Sequence, residues 1–149
     1  MMTIIPRLCR IRNKITNQEF KVFYVGTNTG RIYKIVQFMR DGEAKSKLLD
    51  IFEIAANEAI QVIEISQKHK SLYVSTNHRI KQIALEMCNH RYDSCFRCVK
   101  DPYCGWDQEA NACKPYGIGL LQVRSTFHSL KIKIITQMLP HIGCCQRNE

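Results

Sequence analysis

The chain has 149 residues, with 22 Lys and Arg against 13 Asp and Glu and a formal net charge of +9. That length accommodates one ordinary domain, or part of a larger one with a minidomain beside it. The basic residues are spread out with no RNA- or DNA-reading motif among them, so no nucleic-acid partner is expected, and no run approaches the roughly 20 apolar residues of a membrane span.

At the N-terminus a brief apolar run is broken by Pro6 and followed by Arg7, Arg10 and Arg12. It lacks the apolar h-region and small-residue cleavage site of a signal peptide, so the true start of the protein is expected to lie upstream. Residues 3 to 10 are expected to supply a first strand. Lys21 to Gly26 is β-branched and aromatic, Thr27-Asn28-Thr29-Gly30 reads as a turn with Gly30 placed for positive φ, and Arg31 to Phe38 resumes with strand formers. A polar loop around Asp41-Gly42 precedes a strand at Leu48 to Ile54. Ile60 to Ser66, Ser71 to Thr76 and Arg79 to Leu85 then form a second meander, with Gln67 to Lys70 as a turn.

These segments repeat. Tyr24-Val25-Gly26-Thr27-Asn28 lies over Tyr73-Val74-Ser75-Thr76-Asn77, and Arg31-Ile32 with Ile35 lies over Arg79-Ile80 with Ile83, at an offset of 48 or 49 residues. Short β-rich runs recurring at that interval match the blade period of a β-propeller, about 40 to 50 residues. The reading is all-β: about one full blade, then three strands of another. The strand missing from a closing blade often comes from the distant N-terminus of the domain, and without it an outer edge stays unpaired. A small free-standing β-sandwich is the alternative, but so short a sheet has little apolar surface to bury.

Five of the eight cysteines, Cys88, Cys95, Cys98, Cys104 and Cys113, fall in one short stretch, while Cys9, Cys144 and Cys145 lie apart. In an oxidising compartment such clustering is a disulfide framework, and in the cytosol it is more often a metal site. Zinc could use Cys95-x-x-Cys98 with Cys104 or His90, but the interval from Cys104 to Cys113 is too long for a second close ligand pair. A redox role for Cys95-Phe96-Arg97-Cys98 would need a thioredoxin-like βαβ setting, which the flanking strands do not provide. Spacing alone does not assign the bridges. A module this small excludes too little water to be stable without them, and closing a loop of about 15 residues removes about 3 kcal/mol of unfolded-state entropy in the usual treatment.

No catalytic constellation emerges. His69, His78, His90, His128 and His141 are scattered without a paired Ser, Cys or Asp motif, and Asp50, Glu53 and Glu64 sit in strand-like runs as solvent-facing alternates. Neither an enzyme activity nor a resident cofactor or metal is expected.

The string Asp101-Pro102-Tyr103-Cys104-Gly105-Trp106-Asp107, with the cysteines around it and Cys113-Lys114-Pro115-Tyr116 after it, resembles the PSI module shared by plexins, semaphorins and integrins. Directly after a propeller-like repeat it resembles the sema-plus-PSI arrangement of semaphorins. Leu48-Leu49-Asp50-Ile51-Phe52-Glu53 and Tyr73-Val74-Ser75-Thr76 are similar to the invertebrate secreted class 2 members. The resemblance covers about residues 20 to 121. It implies the last blades of a seven-bladed sema propeller over residues 1–87 and a PSI module over 88–121, while residues 122–149 diverge from it and are expected to be poorly ordered. It implies bridges Cys88–Cys104 and Cys98–Cys113, with Cys95 bonded further downstream, and Tyr103 and Trp106 packed on them. Asp101-Pro102 would set the turn before Cys104, and Gly105 and Asp107 complete the structural core.

By the same resemblance the whole protein is a secreted, extracellular ligand of plexin receptors, homodimeric at full length, that steers and usually repels axons and migrating cells. The family's main plexin-contacting surface lies on earlier blades, so no receptor-binding residue is carried onto this sequence. Two other readings remain: a PSI-bearing receptor ectodomain of plexin type, and a small cysteine-rich zinc-binding adaptor. Beyond Gln122 the chain departs from the family pattern, with a strand-like Leu130 to Ile135 and a terminal Cys144-Cys145 pair.

Overall fold

The computed structural model describes residues 5–12, 19–40, 42–117 and 119–122, with side chains described from residue 20 onward apart from residue 40. The chain divides into two compact units, Met1–Met87 and Cys88–Glu149. The expected strand at Leu130 to Ile135, the order of the tail, and the roles of Cys144, Cys145, His128 and His141 lie outside the described residues, and Cys9 is described in its backbone alone.

The first unit holds two antiparallel meanders. Strands β1 (Ile5–Arg12), β2 (Glu19–Gly26), β3 (Arg31–Arg40) and β4 (Glu43–Glu53) form a four-stranded sheet in sequence order. Strands β5 (Val62–Ser66), β6 (Ser71–Ser75) and β7 (Ile80–Ala84) form a three-stranded sheet, also in sequence order. Consecutive antiparallel strands joined by short turns pair locally, which is why each repeat of the sequence becomes one sheet.

Period-two alternation decides which face is covered. Val22, Tyr24, Ile32 and Val36 are buried on the first sheet, with Ile63, Leu72 and Val74 on the second. Lys34 shares the buried positions of β3, and its Nζ donates to the Leu85 carbonyl at 3.4 Å, which partly offsets the cost of burying an ammonium group.

The repeat reappears in the turns. Thr27 N donates to the Arg31 carbonyl and Arg31 N to Thr27 Oγ1; Thr76 N donates to the Arg79 carbonyl and Arg79 N to Thr76 Oγ1. A threonine hydroxyl thus closes each equivalent turn. At Gly30, φ is +80°, and a Cβ there would stand 1.7 Å from the Ala55 carbonyl oxygen, so only glycine fits. The freed Gly30 carbonyl accepts from both Ile54 N and Ala55 N, which fixes the connection leading to the second sheet.

Two expectations change in detail. β4 begins at Glu43, not Leu48, so the polar stretch beyond Asp41-Gly42 belongs to a hairpin pairing Arg40 with Glu43. The ladder slips between Lys34 and Ile35, where β4 carries one extra residue, a β-bulge. The first strand, Ile5–Arg12, extends past the expected end at residue 10.

The second unit holds two single-turn helices, α1 (Cys88–Arg91) and α2 (Cys95–Cys98), and a hairpin of β8 (Cys104–Asp107) and β9 (Ala112–Pro115). The helices are an addition to the all-β reading; four residues are too few for hydrophobic periodicity to announce a helix.

A cystine-centred module as the candidate functional site

The second unit has a core made chiefly of sulfur and rings. Cys88, Tyr92, Cys95, Cys98, Val99, Cys104, Trp106 and Cys113 are buried together, with Tyr103 and Leu121 packed against them. Cys88 is bonded to Cys104 and Cys98 to Cys113, closing loops of 16 and 15 residues with Cα–Cα distances of 5.7 Å in each. The loops interlace, since Cys98 lies inside the first and Cys113 outside it. Cys95 is disulfide-bonded as well. Both helices begin and end at or near these cysteines, so the bridges tether segments too short to persist alone.

Asp101 is the polar centre of the module. Its side chain is 1% exposed and accepts from the Tyr92 hydroxyl at 2.7 Å and from Tyr103 N at 3.0 Å. Its backbone carbonyl accepts from Cys104 N at 3.0 Å, closing the turn that carries Pro102 and Tyr103 into β8. A short carboxylate side chain folding back onto the backbone two residues on is the Asx-turn logic expected of an Asp-Pro sequence. Tyr92 and the exit segment were not singled out in the sequence; a tyrosine nine residues from its carboxylate partner leaves no periodic signal.

Trp106 occupies the other end of the core, at 4% exposure. Its backbone N–H donates to the Leu121 carbonyl and its backbone carbonyl accepts from Leu121 N, at 2.8 and 2.9 Å. The returning segment therefore adds a bridge to the hairpin. Gly105 makes room for it, because a Cβ there would lie 2.7 Å from Leu120 Cβ. Gln122 Nε2 completes the strap by donating to the carbonyls of Pro102 and Cys104.

Asp107 organises the hairpin turn. Its Oδ1 accepts from Glu109 N and Ala110 N at 3.0 Å each, and its Oδ2 receives Lys114 Nζ at 2.6 Å. These bonds, led by the one from Ala110, hold its carboxyl below the usual aspartate range.

The sulfurs of Cys88, Cys104 and Cys113 lie within 4.8 Å of one another. Such a cluster of thiolates would suit zinc, but all three are spent in cystines and offer no thiolate ligand. Among the described histidines, His69, His78 and His90 are exposed, and Glu53 and Glu64 face solvent from their strands. Among the described residues no helix is long and apolar enough to cross a membrane.

Residues 87–128 match the family described as PSI, plexin repeat. The chain is 60% identical over 144 residues to Semaphorin-2A of Drosophila melanogaster, an alignment covering 91% of this chain and 20% of the relative. The solved structure of Drosophila Semaphorin 2a superposes with a TM-score of 0.81 at 63% identity, over 87% of this chain and 21% of that one. Drosophila Plexin A in complex with Semaphorin 1b superposes at 0.68 with 20% identity, over 91% of this chain and 29% of that one, a likeness of fold alone. The chain spans about a fifth of the length of the curated relatives it matches. The two meanders are sema-domain blades and the cystine-centred unit after them is a PSI module.

Proposed function

We infer that this chain, which belongs to the semaphorin family, is part of a secreted extracellular guidance ligand that acts by binding plexin receptors, not by catalysis. The observation that carries this reading is identity of 60% to Semaphorin-2A across both units, blades and cystine module together. A core that depends on cystines suits an oxidising, extracellular setting. Full-length homodimerisation, with two receptors brought together, is part of the same reading. So is steering of axons and migrating cells, usually by repulsion.

Within such a ligand the PSI module is a stiff spacer. Interlaced bridges, the Asp101 hydrogen bonds and the Gln122 strap leave the segment little freedom, so it sets the direction of whatever follows. The receptor-contacting surface is assigned to blades earlier than those present, and residues 20–122 are assigned to scaffolding. A receptor ectodomain of plexin type is less well supported, because the likeness to Plexin A4 is at 22% identity.

The test is surface binding of an immobilised plexin ectodomain by two proteins: this chain alone, and a longer semaphorin that contains it. Saturable binding by the longer protein alone is expected. Failure of the longer protein to bind any plexin would overturn the ligand reading, and tight, saturable binding by this chain alone would overturn the scaffolding assignment.

A further inference from the structure

The two mapped cystines of the module lie side by side. Cys113 Sγ lies within 4.8 Å of both Cys88 Sγ and Cys104 Sγ, which are bonded to each other, while Cys98 Sγ falls outside that group. Cys88, Cys104 and Cys113 are 1%, 0% and 2% exposed, so a thiolate formed at Cys113 would meet the neighbouring disulfide before it met solvent or an external thiol. β8 and β9 place Cys104 and Cys113 on adjacent strands, with Cys104 opposite Pro115 and Cys113 opposite Trp106, so the two cysteines lie on one diagonal of the hairpin. Diagonal neighbours in an antiparallel pair lie within reach of each other's side chains.

We propose that the Cys98–Cys113 and Cys88–Cys104 bridges form one exchange-coupled unit, in which Cys113 is the internal nucleophile. When an external thiolate attacks Cys98 Sγ, a mixed disulfide forms on Cys98 and Cys113 leaves as the thiolate, which attacks Cys104 Sγ. The Cys113–Cys104 bond forms as the Cys88–Cys104 bond breaks, and Cys88 leaves as a thiolate that takes up a proton. The exchange is redox-neutral, with one disulfide before and one after. Attack on Cys88 Sγ balances in the same way, releasing Cys104. The sulfurs are buried, so the exchange belongs to the slow rearrangements of minutes to hours.

The directionality gives the test. The full chain is prepared oxidised as Cys98→Ser, which frees Cys113, and separately as Cys113→Ser, which frees Cys98. Each is held at about pH 8.5, where a free cysteine is half ionised, then acid-quenched, alkylated and mapped by non-reducing peptide mass spectrometry. Cys98→Ser is expected to show Cys113 bonded to Cys104 or Cys88, at a share several-fold above any rearranged bridge in Cys113→Ser. Cys113→Ser is expected to keep Cys88–Cys104 with Cys98 alkylated. Equal rearrangement in both variants would mean general unfolding, and an intact Cys88–Cys104 bridge with fully alkylated Cys113 in Cys98→Ser would mean independent bridges. Either result overturns the proposal. Trp106 emission, recorded on the same samples, separates rearrangement within a folded module from rearrangement after collapse.

Discussion

The two units of this chain reach stability by different routes. In the sheets, Ile63, Leu72 and Val74 turn inward at every second position, and the apolar surface they bury does the stabilising. In the module five of the eight clustered core residues are half-cystines, and the rest of the core is Tyr92, Val99 and Trp106. About 35 residues cannot exclude enough water to offset chain entropy, so covalent loops lower the entropy of the unfolded state instead. One region is specified by alternation and tolerates drift in strand ends. The other is specified by a handful of positions and tolerates little.

The largest effect should come from removing both mapped bridges. Each closes a loop worth about 3 kcal/mol, and their joint loss should unfold the module. The double variant Cys88→Ser with Cys98→Ser should shift Trp106 emission to the red and expose residues 88–122 to protease, while the far-UV signal of the sheets persists. Loss of the sheet signal as well would break the comparison.

Ile63→Ala is the converse. Truncating a fully buried isoleucine should cost about 2–5 kcal/mol, read as a lower denaturation midpoint of the sheet signal, with Trp106 emission unchanged under native conditions. A smaller change follows from Asp101→Ala, which removes the acceptor of the bonds from the Tyr92 hydroxyl and Tyr103 N–H at a cost of about 1–3 kcal/mol. The bridges should stay intact by mass mapping while the module melts earlier, and an unchanged module midpoint would remove Asp101 from the core's energetics.

The smallest effect is a pH dependence with one contributor in each region. Glu58 accepts from Thr76 Oγ1 and Arg79, each at 2.6 Å, and the Thr76 bond foremost holds its carboxyl below the ordinary 4.5. Asp107 is held below 3.8 by the bond from Ala110 first and Lys114 next. A carboxylate whose folded pKa is depressed stabilises fully above its unfolded value and stops doing so as pH falls through the folded one. Both contributions should therefore be constant at neutral pH and disappear in acid, Glu58's below about 4.5 and Asp107's below about 3.8. Carboxyl-detected NMR titration should find both midpoints under those values. Glu58→Gln should flatten the acid limb of the sheet signal only.

How far the sequence could be read follows the same division. Leu72 and Val74 announce an inward face because the β period is short and each residue reports its own side. The polar Glu43 to Lys47 stretch reads as loop, yet it pairs with β3, because the register that sets Arg40 opposite Glu43 carries the hairpin past the apolar segment. The repeat equates Ile32 with Ile80, but Ile32 is 0% exposed and Ile80 is 78% exposed. Equivalence in sequence sets a strand position, while coverage depends on a neighbouring layer that the local pattern does not encode. In the module the clustered cysteines and the Asp101–Asp107 string marked the site. Spacing left the pairing open, and only the family resemblance suggested partners. The Tyr92–Asp101 bond and the Gln122 strap join different elements and leave no local signature.

The core of the module is oxidised sulfur, which a count of its thiols reads out. The full chain, purified without reductant, is denatured, alkylated and digested, and the peptides bearing Cys88, Cys95, Cys98, Cys104 and Cys113 are identified by mass. None should carry the alkyl label, and Cys88–Cys104 and Cys98–Cys113 should appear as linked peptides. Quantitative labelling of these five cysteines in protein whose Trp106 is still buried would contradict the account.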